Sequence, residues 1–329
     1  MAGVQGVELA LAVSGAGALG SLPCAMLTPQ ALRDALVQIQ AQSATVNFNF
    51  FCHTPPPPDP QAESAWRSLL APYYRELGLD ATASVPASAR EPFTDAMADL
   101  LEPFRPAVIS FHFGLPSDAL LARVRSWGSR ILSSATTVAE ALWLEQRGVD
   151  AIIAQGLEAG GHRGMFLTDD TTTQVGTLAL VPQIVRKTRI PVIAAGGIAD
   201  AGAVTAAMAL GASGVQVGTA YLLCPEANTS ALHRAALQSD AARHTALTRL
   251  FSGRPARGIV NRLIRDLQAQ EAVAPAFPRA AAALAPLRQA AERQGLNTFT
   301  PLWSGQNASA CKAVAAAELT RELVRGLPA

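Results

Sequence analysis

Several features are scarce in this chain, and each scarcity removes a class of function. The four cysteines, at 24, 52, 224 and 311, lie far apart and form no C-x-x-C pair. Neither a zinc site nor a disulfide framework is therefore expected, and a reducing cytoplasm suits the chain. Excess charge is lacking too: 26 Lys and Arg against 25 Asp and Glu leave a net charge of +1. That gives no field for nucleic acid or for an anionic membrane surface. Glu8 is acidic and no Lys or Arg precedes Arg33, so the apolar N-terminus does not read as a signal peptide. No run is long and apolar enough to span a bilayer. No two of the five histidines stand at a metal-ligand spacing on a helix, and no metal is expected.

What is present is material for a large core. With 329 residues, 50% hydrophobic and 16% charged, the chain can form one big domain or a domain with an insertion. Three short apolar runs between Asp150 and Thr219 (DAIIAQG, PVIAAGG and GVQVGT) contain or end in glycine and are separated by helix-like segments. They read as buried parallel strands of repeated β/α units. Glycines at such strand ends expose backbone N–H groups where helices begin, and these can hold a phosphate.

Along the chain, helices are expected over 5–14, from Thr28-Pro29 onward, and over 61–78, 91–101 and 137–147. Strands are expected near 18, 46, 108, 131, 151, 192 and 215. Seven strands in a β-then-α rhythm are one short of a TIM (β/α)8 barrel. The eighth is expected before Met1, which makes PVIAAGG and GVQVGT strands seven and eight, whose loops commonly form a barrel's phosphate site. After Cys224 the rhythm stops. Helical stretches over 227–294, broken by Pro275, Pro278 and Pro286, read as a small helical domain over the barrel mouth. The domain reading is a β/α barrel over 1–226, a helical cap over 227–298, and a loop and helix returning to the barrel over 299–329.

Candidate chemistry gathers at the strand ends. His162, in GGHRG, is placed to act as a base near neutral pH, or else to hydrogen-bond loop backbone. His112, in SFHFG, and His53 could point into the same mouth or belong to the core; His233 and His244 are expected to be solvated. Asn49 and Gln155 are amides at apolar strand ends that both donate and accept. A flat heterocycle such as flavin needs that mixture, although the same amides could satisfy nearby backbone. Cys24 and Cys224 read as buried.

The ordered set MAG (1–3), NFF (49–51), QGLEAGGHRG (155–164), AAGGIAD (194–200), QVGT (216–219) and PLWSGQ (301–306) resembles the nitronate monooxygenase family, formerly 2-nitropropane dioxygenases, in its bacterial class I form. The resemblance implies an FMN-binding TIM barrel with a helical substrate domain. It places flavin contacts on Asn49 and Gln155, phosphate loops on Gly160, Gly197, Gln216, Val217, Gly218 and Thr219, and catalytic histidines on His162 and His112. It implies oxidation of alkyl nitronates, propionate 3-nitronate foremost, by O2 to a carbonyl product and nitrite, in a cytoplasmic monomer or homodimer. Family members usually begin with a short apolar strand ending in proline before the MAG-type motif, and that strand is the one missing from the count. Two competing readings keep the fold: an FMN-dependent NAD(P)H:quinone or enoyl-thioester reductase, and a flavin-binding remnant without catalysis.

Overall fold

The computed structural model describes residues 1, 3–80 and 90–328, so Ala2 of the first motif lies outside the described residues. In chain order the elements are α1 (Val7–Gly15), β1 (Gly20–Pro23), α2 (Pro29–Ala41), β2 (Val46–Phe51), α3 (Pro60–Glu76), α4 (Asp95–Leu101), β3 (Val108–His112), α5 (Asp118–Ser126), β4 (Arg130–Ala135), α6 (Val138–Gln146) and β5 (Ala151–Gln155). They continue with β6 (Gly161–His162), α7 (Thr177–Val185), β7 (Val192–Ala195), α8 (Ala201–Ala209), β8 (Gly214–Gln216), α9 (Ala231–Leu237), β9 (Thr245–Thr248), β10 (Ala256–Ile259), α10 (Arg262–Leu267), α11 (Ala280–Arg293) and α12 (Ala316–Val324).

Seven strands form one parallel sheet in the order β1-β2-β3-β4-β5-β7-β8, curled in the manner of a TIM barrel with helices on its outside. Local chemistry explains most of the units. Thr28 caps α2 through Ala31 N with Pro29 in the first turn, Ser117 caps α5, and Gly148 follows α6 at φ 73°, where a side chain would be strained. The outer faces of the strands (Phe48, Phe50, Ile109, Phe111, Ile131, Ile152) bury against Leu36, Val124, Leu144, Val181 and Ile184 of the helices. Each such side chain contributes roughly 1.5–3 kcal/mol.

The inner face is more polar. Asn47 Nδ2 donates to Ser21 Oγ and Ser110 Oγ, both at 2.9 Å, and Asn49 Nδ2 donates to Ser110 Oγ at 2.8 Å. The register Ser21↔Asn47 and Asn49↔Ser110 brings these groups level. A polar lining of this kind leads toward the strand ends.

Three expectations need correction. The first strand begins at Gly20, two residues beyond the position expected near 18. The segment 227–294, expected to hold only helical stretches broken by prolines, also contains the β9–β10 hairpin, and β10 pairs antiparallel with β6 at Ala256↔His162. Pairing to a distant edge overrides the helix-favouring composition around it. A second hydrophobic cluster then joins Trp66, Leu70 and Tyr74 of α3 to Leu250, Phe251, Leu263, Leu284 and Phe299. Third, His233 is buried instead of solvated, with Nε2 3.1 Å from Ser304 Oγ; that partner lies 71 residues away in sequence. No helix among the described residues is long and apolar enough to cross a membrane.

Candidate active site

The loop that follows β5 is fixed before it reaches His162. Arg163 is fully buried and donates to Gly156 O and Gln155 O at 2.7 Å each and to Gln174 Oε1 at 3.0 Å. Gln155 ties the loop on both sides of the histidine: its Nε2 donates to His162 O at 3.0 Å and its Oε1 accepts from Gly164 N at 2.7 Å. The Gln155 carboxamide therefore meets the backbone role weighed for it from sequence. Glu140, also fully buried, accepts from Thr136 N at 2.6 Å and Thr136 Oγ1 at 2.7 Å, and from Phe166 N at 2.6 Å. Side chains locked this way hold a working group in place without reorganisation.

His162 Nε2 lies 2.8 Å from Ser252 Oγ, and Ser252 Oγ donates onward to Arg254 O at 3.4 Å. In that arrangement Ser252 accepts from His162 Nε2–H, the tautomer assigned from this network, which leaves Nδ1 with a free lone pair. His112 is a strut. Its Nε2 faces His162 O at 3.2 Å and can only donate there, while its Nδ1 lies 3.0 Å from Ser134 Oγ and accepts. A Cβ on Gly164 would come within 2.8 Å of His112 Cε1, so glycine is needed there for the strut to fit.

Both rings keep some accessible surface yet are densely walled by protein. Burial, reinforced by the Arg90 and Arg254 charges, pushes His162 well below 6.5. Burial carries His112 down to about 3 and, with the Arg254 charge, His53 down to about 4. All three are neutral at pH 7. Phe113, Phe277 and Trp303 stand around His162 with ring centroids at 6.1, 5.3 and 5.4 Å, and His53 packs on Phe277 at 4.8 Å.

The glycine tips form a second group. Gly196 and Gly197 follow β7 at φ 126° and 74°, and Asp200 caps α8 by accepting from Ala203 N at 2.8 Å. Gly218 and Thr219 follow β8 at the start of a 3-10 turn. Among the described residues, the amides of Gly197 and Thr219 donate to no protein acceptor. Loop 301–307 ties the tips together: Gly305 N donates to Thr219 Oγ1 at 2.9 Å, Gln306 N to Glu158 O at 2.9 Å, and Asn307 Nδ2 to Gly197 O at 3.0 Å. A Cβ on Gly160 would sit 2.5 Å from Gly305 N, so this approach requires glycine.

The structure thus links His162, His112 and Gln155 directly, and gathers Gly160, Gly197 and Thr219 around one loop. Asn49 lies level with Ser110, two residues before His112 on the same face of β3. Gln216 is exposed and Val217 half-buried beside them. Sequence reading missed Ser252, Arg254 and Phe277, and it gave no role to Phe113 and Trp303 although SFHFG and PLWSGQ contain them. The run SGRPARG, with two glycines and two arginines in an otherwise Ala-rich region, was the available signal. Two surface hollows, one by Val185 and Pro191 and one by Leu11 and Thr45, lie at the opposite end of the strands from this chemistry.

The family model described as nitronate monooxygenase matches residues 1–326. A nitronate monooxygenase of Paraburkholderia phytofirmans is 40% identical over 99% of this chain and 90% of that protein. One from Pseudomonas aeruginosa is also 40% identical, over 99% and 94%. The crystal structure of a nitroalkane oxidase from Streptomyces ansochromogenes superposes with a TM-score of 0.89 at 35% identity, covering 98% of this chain and 92% of that one. FabK from Thermotoga maritima, 24% identical with a TM-score of 0.72 over 99% and 90% of the two chains, is similar in fold alone.

Proposed function

The chain belongs to the nitronate monooxygenase family, and on that premise we propose that it oxidises alkyl nitronates, propionate 3-nitronate among them, with O2 to a carbonyl compound and nitrite, using FMN. The cofactor fits the residues present. The unpartnered amides of Gly197 and Thr219 suit its phosphate, and the glycine approach at Gly160 suits a backbone cradle. Asn49, level with Ser110 on the inner face, suits a ring edge that donates and accepts. When bound, FMN supplies the one-electron redox chemistry that links nitronate to oxygen.

The observation that carries the reading is the neutral His162 ring, its Nε2 tied to Ser252 and its Nδ1 open. With a neutral nitroalkane, Nδ1 can remove the α-proton. With a nitronate, a ring that has gained a proton can donate to the anion. His112 holds the backbone of His162 and so acts through it. Phe113, Phe277 and Trp303 restrict water beside the reacting carbon.

The test is an anaerobic titration of the purified protein followed by visible spectroscopy. Propionate 3-nitronate should bleach the flavin and NADH should not; rapid bleaching by NADH alone favours a reductase. His162→Asn should keep the flavin spectrum and lose turnover, and unchanged kinetics would reject the assignment.

A further inference from the structure

The chemistry above makes no use of Arg254. Its guanidinium carbon lies 4.1 Å from the centre of the Phe113 ring, whose own centre is 6.1 Å from that of His162. One Nη donates to Met165 O, whereas Nε is buried and meets no acceptor. Arg254 forms no salt bridge among the described residues. Burial lowers it only to about 10, with Asp169 and Glu140 acting on it at a distance, so it remains a cation. Glu140 is already fully engaged by Thr136, Phe166 and Leu167. Arg90 adds a second guanidinium, 5.9 Å from the centre of Phe277. The rings between them are neutral histidines and phenylalanines. A desolvated cation with an idle N–H, and with no carboxylate in direct contact among the described residues, is costly unless an anion arrives with the ligand.

We propose that Arg254 is the anchor for a carboxylate at the far end of the substrate, so that the site selects short nitronates carrying a terminal carboxylate over plain alkyl nitronates. This deepens, and rests on, the nitronate reading of the site. The two ring distances place the guanidinium carbon within about 10 Å of the centre of His162. A three-carbon chain with an anionic group at each end, plus one hydrogen bond of about 2.8 Å at either side, covers such a span. His162 is then left to the nitronate end and Arg254 to the carboxylate, both within reach of Phe113.

The experiment compares two pairs of small molecules on the flavin-loaded protein, wild type and Arg254→Met, a variant that keeps the apolar stem over Phe113. Succinate is a stable isostere of propionate 3-nitronate, and butyrate of propyl 1-nitronate; binding of both is measured by calorimetry and kcat/KM is measured for both nitronates. The wild type should prefer succinate. In Arg254→Met the preference for the carboxylate-bearing member should fall on the order of 10- to 100-fold in binding and in kcat/KM, the effect of losing a charged hydrogen bond. Arg254→Lys should recover part of it. An equal loss for both members of each pair, or none for either, overturns the proposal. Should Arg254→Met not fold, the wild-type preference decides, because equal binding of succinate and butyrate overturns it too. Failure of the nitronate reading looks different: neither nitronate is turned over by the wild type at all.

Discussion

Mild acid should unfold this protein well above the pH at which carboxylates titrate. Histidines in an unfolded chain ionise near 6.5. In the fold, burial holds His53 and His233 near about 4 and His112 near about 3, and His162 shifts in the same direction. Below pH 6.5 the unfolded chain therefore takes up protons that the folded chain refuses, so stability present above pH 6.5 declines as pH falls toward 4. At pH 5 the difference is about 1.5 pH units on each ring, or roughly 2 kcal/mol per histidine and about 6 kcal/mol for three as an upper figure. That is comparable with the whole stability of an ordinary domain, about 5–15 kcal/mol. The assay is urea unfolding at pH 7.5, 6.5, 5.5 and 5.0, with histidine ring resonances followed by NMR in the folded protein. His233→Gln, whose side chain can still bond Ser304, should remove about one proton from the slope. Midpoints that do not change between pH 7.5 and 5.0, or folded-state rings titrating near 6.5, would refute the reasoning.

Two substitutions probe the frame around the site. Gly160→Ala places a methyl 2.5 Å from Gly305 N and 2.6 Å from Ser304 C, both backbone, so loop 301–307 must retreat. A loss of about 1–3 kcal/mol and flavin released on gel filtration are expected, whereas Gly15→Ala, with open space around it, should retain both. Glu140→Gln turns an N–H2 toward donors that now meet a carboxylate, and should cost about 1–3 kcal/mol in thermal unfolding along with a fall in kcat as the His162 loop loosens. Unaltered melting would show that the carboxylate charge is not needed there.

Much of the frame was legible because its causes are local. Thr28-Pro29, Ser117 and Gly148 mark helix ends through their own side chains or backbone, and the runs at β5 and β7 are apolar because nearly every residue in them is covered. The glycines at 160 and 197 were legible as tips, since close approach is what glycine permits. What escaped depends on partners distant in sequence. Ser252 gains its role only because β10 pairs with β6, bringing it to His162 across 90 residues. His233 sits in a short helix of Ala and Leu beside Arg234, and nothing nearby announces Ser304. Gln155 shows the converse case: the residue was found, but whether an amide serves a ligand or its own loop depends on where the chain returns, and here it returns to Gly164.

The cluster that α3 shares with residues 250–299 has a consequence for how the chain is made. Trp66 Nε1 donates to Ala280 O across 214 residues, and Tyr74 Oη to Ala283 O across 209. At about 5–20 residues per second, a ribosome needs on the order of 10–40 s to deliver those acceptors after α3 has emerged. For that interval the sticky side of α3 is bare on a nascent polypeptide, so α3 is the segment where chaperone capture or premature clumping would begin.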